Sequence, residues 1–596
     1  MKKHLKDIQA FHNQIWKTFL EQQQKGSCTS LWDTITNACQ EDTKTATQKD
    51  ICWNDIQKQY FENLETIFTK TMGGFFQNDN PLPPETPPLD RRFQDPEWQT
   101  NPMFYYLKES YLLYSDYVQN LFEHEDLDAE SRKKLQFYIK NFLDALSPSN
   151  FPFTNPEVVR ETVKQKGENL VKGFQNYLKD QQKHQGPALP ALTDLSAFKV
   201  GESLATTPGK VIFENEIFQL IQYLPPKTPY YETPVLIIPP WINKFYIFDL
   251  QPEKSFIRWN VDAGHVVYVI SWVNPDASYA SVGLKDYLLK GIDKAIEKIK
   301  STTHVPKVNA VGFCVGGVAL LTLMGYYQKK GNTSIASATL LASPTDFREM
   351  GDLSLFVSKE QIQILEKTLK KQGGLAGEAM MQIFRSLRAN ELIWPNYINS
   401  YLLGKKPTPL DFLFWNSDTT NLPAKMHLEY LKEFFLGNAL MKSNEYHLGK
   451  VGIDIETITN PFFIVATQRD HIVPWKAAFP AFQKLRNSRF ILGGSGHIVG
   501  IINPPSGQKY GYWTNETPHT ISAEEWLHTA TKHAGSWWKE WQEWLTPYLG
   551  QRTLLPKDIK SPSLEDAPGR YALQKAPDLK VNPIAGFWDF YAPVKS

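Results

Sequence analysis

A run of seven residues, VGFCVGG at 311–317, constrains the fold of this chain more than any other stretch. The preceding PKVNAVGFC is an apolar, Val-rich run that predicts a strand, and the following VGGVALLTLMGYYQKK predicts a helix. A sharp turn between a strand and a helix is where a nucleophile elbow presents a catalytic side chain. Cys314 stands where such elbows carry serine, and Gly312 and Gly316 allow the tight turn and the close approach of strand and helix. The alternative is that Cys314 is a small buried hydrophobe, which is a common role for a free cysteine.

Strand-like and helix-like segments alternate after Ser196, which predicts an α/β domain. KVIFENEIFQLIQYLP predicts two paired strands that turn around Glu214–Glu216. Further buried strands are predicted from PVLIIPP, HVVYVISWV, ASATLLAS, PFFIVATQRD and RFILGGSGH. Short apolar strands separated by helices indicate a doubly wound, mostly parallel sheet. Between Ser343 and about Glu456 the alternation gives way to helical and loop segments, which predicts an inserted cap near the C-terminal edge of the sheet.

Two further residues follow predicted strand ends in the order that an α/β-hydrolase triad requires, with the acid and then the histidine after the nucleophile. Asp470 ends PFFIVATQRD, and His497 ends RFILGGSGH. Taken singly, an Asp at a strand end is more often a helix cap than a catalyst, and a His after glycines is usually a loop residue. The ordered set predicts an α/β-hydrolase fold with Cys314, Asp470 and His497 as its triad. His471 is the alternative to His497 as the triad histidine. Because it is adjacent to Asp470 in the chain, its side chain points elsewhere if that of Asp470 faces the site. We therefore predict that His471 lies behind the triad and is not part of it.

The oxyanion hole of such a site is built from backbone N–H groups beside the nucleophile and after an earlier strand. The residue that follows the nucleophile is Val315, whose N–H is the first predicted donor. The second donor is predicted from the loop after PVLIIPP, which places Trp241 or Ile242 there.

The residues before the α/β pattern are predicted to be mostly helical. NPMFYYLKESYLLYSDYVQNLFEH and ESRKKLQFYIKNFLDAL repeat apolar residues at helical spacing, and KHQGPALPALTD is typical of a linker. We therefore predict a helical N-terminal domain at 1–195 and a catalytic domain at 196–596, with the cap at about 343–456.

Composition excludes several classes of function. The 64 basic and 63 acidic side chains give no electrostatic support for nucleic-acid binding. No run of about 18 apolar residues predicts a membrane span, and the N-terminus lacks the apolar core of a signal peptide. Four cysteines fit a reducing compartment, which predicts a cytoplasmic protein. Cys28, Cys39 and Cys52 lack metal-ligand spacing and are predicted to be structural, so we expect neither a metal nor a cofactor.

The segment GSWWKEWQEWL carries four tryptophans near helical spacing. Trp537, Trp541 and Trp544 share a predicted helix face with Trp538 close by. Polymer binding is one interpretation of this stripe, but packing in the core is the more common role of tryptophan and is the one we expect.

Long motifs spread from about Arg91 to Trp544 carry a family resemblance. The chain resembles polyhydroxyalkanoate synthases, most closely those of class I, the short-chain type. The motifs that carry the resemblance are RRFQDPEWQTNP, PSNFPFTNPE, VIFENEIFQLIQY, PPWINKFYIFDLQP, SWVNPDAS, GFCVGG, LDFLFWNSDTTNLPAKMH, RDHIVPW, GGSGHIVGIINPP, YWTN and GSWWKEWQEWL.

The resemblance implies an acyltransferase that polymerises (R)-3-hydroxyacyl-CoA, chiefly 3-hydroxybutyryl-CoA, and releases CoA through a covalent cysteine thioester. Cys314, Asp470 and His497 each fall within a matching motif. Trp241 stands where relatives often carry Cys, which leaves Cys314 as the active-site thiol. The resemblance also implies a homodimer that needs no second type of subunit, associated with a growing polyester chain and a granule surface in the cytoplasm.

Two other functions stay open at this point. A cysteine esterase or a polyhydroxyalkanoate depolymerase would use the same scaffold and triad, because fold alone does not set function. A granule scaffold with a defunct site is the third possibility, against which the intact order of the triad argues.

Overall fold

The computed structural model describes residues 48–76, 90–123, 127–183, 189–226, 229–554, 559 and 562–579. The chain forms two compact units, which divide between Arg160 and Glu161. Cys28, Cys39 and the side chain of Cys52 lie outside the described residues, so their predicted structural role stays a prediction.

The first unit is helical, as the sequence pattern predicts. Its long helices are α1 (Gln48–Phe76), α2 (Pro102–Glu123) and α3 (Ala129–Ala145), and α4 (Pro156–Lys164) spans the division. The start of α3 is capped by Asp128, whose carboxylate accepts the backbone N–H groups of Glu130 and Ser131. The buried core of this unit is aromatic and contains Phe93, Trp98, Phe104 and Tyr111.

The second unit begins before the predicted linker, because helix α5 (Glu168–Lys183) packs on a segment of the cap. The Asn169 side chain donates to the Leu402 carbonyl at 2.9 Å, and Asn176 donates to the Ser400 carbonyl at 3.1 Å. The partner segment of α5 lies more than 200 residues away in sequence, so no local pattern predicts the contact. The predicted domain boundary at residue 195 stays a prediction.

A twelve-stranded mixed sheet forms the centre of the second unit. Its strands in chain order are β1 (Lys210–Glu214), β2 (Phe218–Tyr223), β3 (Tyr230–Ile238), β4 (His265–Trp272), β5 (Val308–Phe313), β6 (Ile335–Leu341), β7 (Phe462–Thr467), β8 (Ser488–Gly493), β9 (Tyr512–Thr514), β10 (Thr531–His533), β11 (Arg552–Thr553) and β12 (Glu565–Asp566). Their spatial order is β10-β9-β8-β7-β6-β5-β3-β4-β2-β1-β12, and β11 pairs with β3.

The pairing explains the hydrophobicity of the strand sequences. Strands β3 to β8 pair in parallel, and β4, β5 and β7 among them are buried along their whole length. Parallel strands are covered on both faces, so they read as continuous apolar runs. Strands β1 and β2 pair antiparallel around residues 215–217, which confirms the predicted hairpin.

Helices connect and cover these strands. The longer ones are α6 (Phe256–Asp262), α7 (Lys294–Thr303), α8 (Val315–Lys330), α9 (Lys359–Gln372), α10 (Gly377–Ser386), α11 (Asp411–Ser417), α12 (Ala424–Tyr430), α13 (Trp475–Lys484), α14 (Ala523–Thr529) and α15 (Trp538–Leu545). Helices α9 to α12 lie in sequence between β6 and β7, and no residue described between these two strands joins the large sheet. The predicted fold class, an α/β-hydrolase fold with an inserted cap after a helical N-terminal region, is confirmed.

The tryptophans near the C-terminus lie in the core. Trp537, Trp538 and Trp541 are buried, and their indole N–H groups donate to Gly500 O, Ile501 O and Thr339 Oγ1 at 2.8–3.0 Å. The fourth residue, Trp544, is partly buried and packs on the same core. The expectation of core packing is therefore confirmed. Among the described helices, none has the length and apolar character needed to cross a membrane.

Candidate active site

The strand–turn–helix elbow predicted from the sequence forms at the junction of β5 and α8. Cys314 lies between the two elements with φ 53° and ψ −123°, a backbone conformation that side chains rarely adopt. Its N–H donates to the Leu341 carbonyl at 2.8 Å, and its own carbonyl accepts the N–H of Gly317 at 3.0 Å. The sheet and the helix thus hold a strained residue in place, which is typical of functional sites.

Glycines are required around the elbow because backbone lies against them. A Cβ at Gly312 would lie 2.5 Å from the Gly317 Cα, and one at Gly316 would lie 2.3 Å from the Ile238 carbonyl oxygen. A third glycine, Gly317, was not predicted to matter, yet a Cβ there would lie 2.0 Å from Ser343 Oγ. Its position as the second glycine of the GG pair was the sequence feature that could have indicated this close contact.

Asp470 and His497 meet 27 residues apart in sequence, after β7 and β8 respectively. The His497 Nδ1 lies 2.6 Å from Asp470 Oδ2, and because a carboxylate only accepts, Nδ1 carries the proton. The other oxygen, Asp470 Oδ1, accepts the backbone N–H groups of Ile472 and Val473 at 2.9 and 2.8 Å. Thr467 Oγ1 adds a contact of 3.2 Å to Oδ2. The carboxylate is therefore fixed by donors and is fully buried.

The imidazole of His497 joins this carboxylate to Cys314. Burial by itself lowers the pKa of His497, but the charge and hydrogen bond of Asp470, together with Cys314, raise it to about 10. The ring also stacks on Phe313, with centroids 5.2 Å apart. The sequence-predicted triad residues Cys314, Asp470 and His497 are thus brought together in one buried chain of contacts.

His471 does not take the place of His497. Although it follows Asp470 directly, the hydrogen bond to that carboxylate comes from His497. His471 is half-buried, and burial lowers its pKa to about 4 despite the opposing charge of Asp470.

The predicted oxyanion residues lie beside the elbow. Val315 is the first residue of α8, so its N–H belongs to the first turn, which lacks intrahelical acceptors. Trp241 and Ile242 follow β3 and line the same cavity as Cys314 and Val315. Thr420 Oγ1, in the cap, lies 2.8 Å from the Trp241 carbonyl oxygen and 2.5 Å from that of Ile242. The cap thereby binds the carbonyl side of this loop.

A cavity of about 110 Å³ lies between the elbow and the cap. Most of its lining is aliphatic or aromatic and comes from cap helices and loops. The polar side chains in the lining are those of Cys314, Thr368, Gln372, His427 and Tyr430. Such an apolar pocket with a few convergent polar groups is typical of a small-molecule site.

Two of these polar residues, His427 and Tyr430, were missed by the sequence analysis. They lie three residues apart on α12, within the motif LPAKMH and the residues after it. Burial, with a smaller contribution from the charge of Cys314, raises the pKa of Tyr430 well above its ordinary value. Burial lowers the pKa of His427 to about 4, so its ring is neutral near pH 7. Their helical spacing was visible in the sequence, but their position over the elbow depends on the packing of the cap.

Comparison with known proteins agrees with this architecture. The family described as the poly-beta-hydroxybutyrate polymerase (PhaC) N-terminus matches residues 89–260, and the alpha/beta hydrolase fold matches residues 233–504. The chain is 42% identical over 530 residues to the poly(3-hydroxyalkanoate) polymerase subunit PhaC of Rhizobium etli, covering 87% of this chain and 83% of that protein. It is 41% identical over 497 residues to the poly(3-hydroxyalkanoate) polymerase of Methylorubrum extorquens, covering 83% and 82%. It is 38% identical over 531 residues to the polymerase subunit PhaC of Cupriavidus necator, covering 88% of both chains.

Proposed function

This chain belongs to the poly(3-hydroxyalkanoate) polymerase family, and from that membership we propose that it polymerises (R)-3-hydroxyacyl-CoA through a thioester on Cys314. The observation that supports the role of Cys314 is the buried chain of contacts from its elbow through His497 to Asp470, which opens on an apolar cavity. An enzyme with an α/β-hydrolase fold and these relatives needs an acyl donor and a hydroxyl acceptor to make a polyester.

The first step loads the enzyme. His497 takes the proton of the Cys314 thiol, and the thiolate attacks the carbonyl carbon of the acyl-CoA thioester. The tetrahedral oxyanion is bound by the N–H of Val315 and an N–H of Trp241 or Ile242. The carbon–sulfur bond to CoA then breaks, and His497 returns its proton to the CoA sulfur. One thioester replaces another, so the step is close to thermoneutral.

The second step transfers the acyl group to a hydroxyl. The 3-hydroxyl of an acyl chain loses its proton to His497 as its oxygen attacks the Cys314 thioester, and the thiol is restored with that proton. The product is an oxygen ester, which is more stable than a thioester, so the transfer is favourable. A serine in place of Cys314 would hold the acyl group as an oxygen ester and remove this driving force.

For Asp470 the contacts support a role in orienting His497. One carboxylate oxygen receives two backbone N–H groups, and the other contacts the His497 Nδ1. Its full burial also argues against direct activation of the substrate hydroxyl. An orienting carboxylate keeps the Nε2 of the imidazole free to accept a proton from Cys314.

Water has to be kept from the acyl-enzyme, since hydrolysis would end the chain. The cavity lining supports this exclusion, because cap residues such as Leu353, Phe356 and Phe435 cover the elbow with apolar surface. We further propose a preference for acyl chains of three to five carbons, activity as a homodimer without a second type of subunit, and association with polyester granules in the cytoplasm. These proposals rest on the resemblance to class I synthases.

The test is to incubate the purified chain with 3-hydroxybutyryl-CoA and follow CoA release, polymer and the site of acylation. Peptide mapping after a brief incubation is expected to find the acyl group on Cys314, and longer incubation is expected to yield polymer. Cys314→Ala should abolish both while Cys52→Ala, a matched cysteine control, keeps them. Free 3-hydroxybutyrate as the sole product would identify a hydrolase, and a label on another cysteine would overturn the assignment.

A further inference from the structure

We infer that His427 is a specificity-determining residue that binds the 3-hydroxyl of the acyl group delivered to Cys314. This inference rests on the proposed function and concerns a residue that the triad mechanism does not use. It predicts that the enzyme distinguishes a 3-hydroxyacyl thioester from an unsubstituted acyl thioester of the same length.

His427 is an uncommitted polar group inside an apolar pocket. Its exposed fraction is 4%, and it lines the cavity that contains Cys314. Within the described part of the chain, its ring takes part in no hydrogen bond, whereas another polar lining residue, Thr368, donates to the Ile364 carbonyl. A polar side chain on the wall of an apolar cavity can pair with a polar group of a ligand that enters the cavity.

The position of His427 places it within reach of an acyl group on Cys314. Tyr430 and His427 both line the cavity that contains Cys314. His427 precedes Tyr430 by three residues on α12, so the two side chains are neighbours on one helix face, about 5–6 Å apart at Cβ. Tyr430 packs on Trp241 of the proposed oxyanion loop, with ring centroids 6.1 Å apart. His427 therefore faces the cavity that contains Cys314, about one helical turn from Tyr430 on α12.

The chemistry of the ring selects the ligand. A neutral imidazole offers one N–H donor and one nitrogen acceptor. A hydroxyl is both donor and acceptor, so it can pair with either ring nitrogen, and it is uncharged, as an apolar cavity requires. The 3-hydroxyl is a few covalent bonds from the thioester carbon, whereas an unsubstituted acyl chain carries no polar atom there. A site built to bind a hydroxyl rejects the analogue that lacks it, because its own polar group is left unpaired.

The test compares 3-hydroxybutyryl-CoA with butyryl-CoA in the first turnover, before any ester of a growing chain exists. Rapid quenching and intact-protein mass spectrometry give the rate of acyl-enzyme formation at Cys314. His427→Phe removes both polar atoms but keeps an aromatic ring, and His427→Gln restores a donor and an acceptor. Lys425→Gln is the matched control, since Lys425 lies on the same helix with its side chain exposed. Thermal unfolding confirms that each variant is folded.

We expect His427→Phe to lower the rate with 3-hydroxybutyryl-CoA about tenfold and to leave the rate with butyryl-CoA within twofold of the wild type. His427→Gln should recover most of the loss, and Lys425→Gln should match the wild type with both substrates. Equal losses with both substrates, or an unchanged rate with 3-hydroxybutyryl-CoA, would overturn the inference. An effect confined to elongation would also overturn it, because His427 would then bind an ester of the growing chain. A wild type that forms no acyl-enzyme at Cys314 would instead refute the proposed function.

Discussion

Replacement of Asp470 by Asn tests whether this carboxylate acts by orienting His497. In the native site one carboxylate oxygen accepts two backbone N–H groups and the other accepts the His497 Nδ1–H at 2.6 Å. An asparagine keeps the shape but replaces one oxygen by a donor. If its oxygen stays with the backbone N–H groups of Ile472 and Val473, its NH₂ group faces Nδ1 of His497. The imidazole must then carry its proton on Nε2, where it cannot take the proton of Cys314.

The opposite orientation of the side-chain amide in Asp470→Asn is unfavourable for a different reason. It would place the NH₂ group against two backbone N–H donors in a fully buried position, which leaves three donors facing one another. The first orientation disables the general base, and the second, which would keep the correct tautomer, is disfavoured by its unpaired donors. A wrong tautomer in a serine-protease triad lowers kcat about 10⁴-fold, which corresponds to about 5.4 kcal/mol at 1.36 kcal/mol per tenfold. We expect a loss of about 10³-fold to 10⁴-fold for Asp470→Asn.

The assay is the rate of acyl-enzyme formation with 3-hydroxybutyryl-CoA, measured in a single turnover so that product release does not mask the step. His471→Gln is the control, because it alters the adjacent half-buried histidine without touching the Asp470–His497 contact. The control should stay within threefold of the wild type. A rate for Asp470→Asn within tenfold of the wild type, or an equal loss in the control, would refute the orienting role.

Three further substitutions and conditions test the scaffold of the site. Gly316→Ala places a Cβ 2.3 Å from the Ile238 carbonyl oxygen, so the elbow must shift. We expect the rate of acyl transfer to fall by about 10²-fold, and a rate within threefold of the wild type would contradict this. Lys244→Met removes three donor contacts of 2.8 Å and leaves the Asp418 carboxylate buried without the Lys244 cation. We expect the free energy of unfolding in urea to fall by about 3–5 kcal/mol, and an unchanged urea midpoint would argue against this. The pKa of His497 is raised from 6.5 to about 10, so the stability from its pairing is full below about pH 6.5 and is lost as the pH rises toward 10. The Tm advantage of the wild type over His497→Gln should therefore shrink between about pH 7 and pH 10, and a constant difference would exclude this linkage.

Local sequence was sufficient for the elbow, the strands and the positions of the three candidate residues after strand ends. The strand–turn–helix pattern around Cys314 confines a tight backbone turn to a few residues, and its glycines are required by contacts at that turn. Parallel strands are buried on both faces, so PVLIIPP and HVVYVISWV are mostly apolar along their length. Because the ends of such strands meet at one edge of the sheet, Asp470 and His497 were predictable from their positions after β7 and β8.

Only the tertiary structure decided what covers the site. His427 and Thr420 belong to the cap, and their sequence neighbours do not reveal that one lines the cavity and the other binds the loop of Trp241. The same holds for the buried contact between Lys244 and Asp418, which are far apart in sequence. Periodicity determines which face of a helix is buried, but the partner of that face is set by how elements distant in sequence pack together. For that reason the sequence was sufficient to predict that Cys314, Asp470 and His497 come together, whereas His427, the residue proposed to choose the substrate, emerged from the packing of the cap over the sheet.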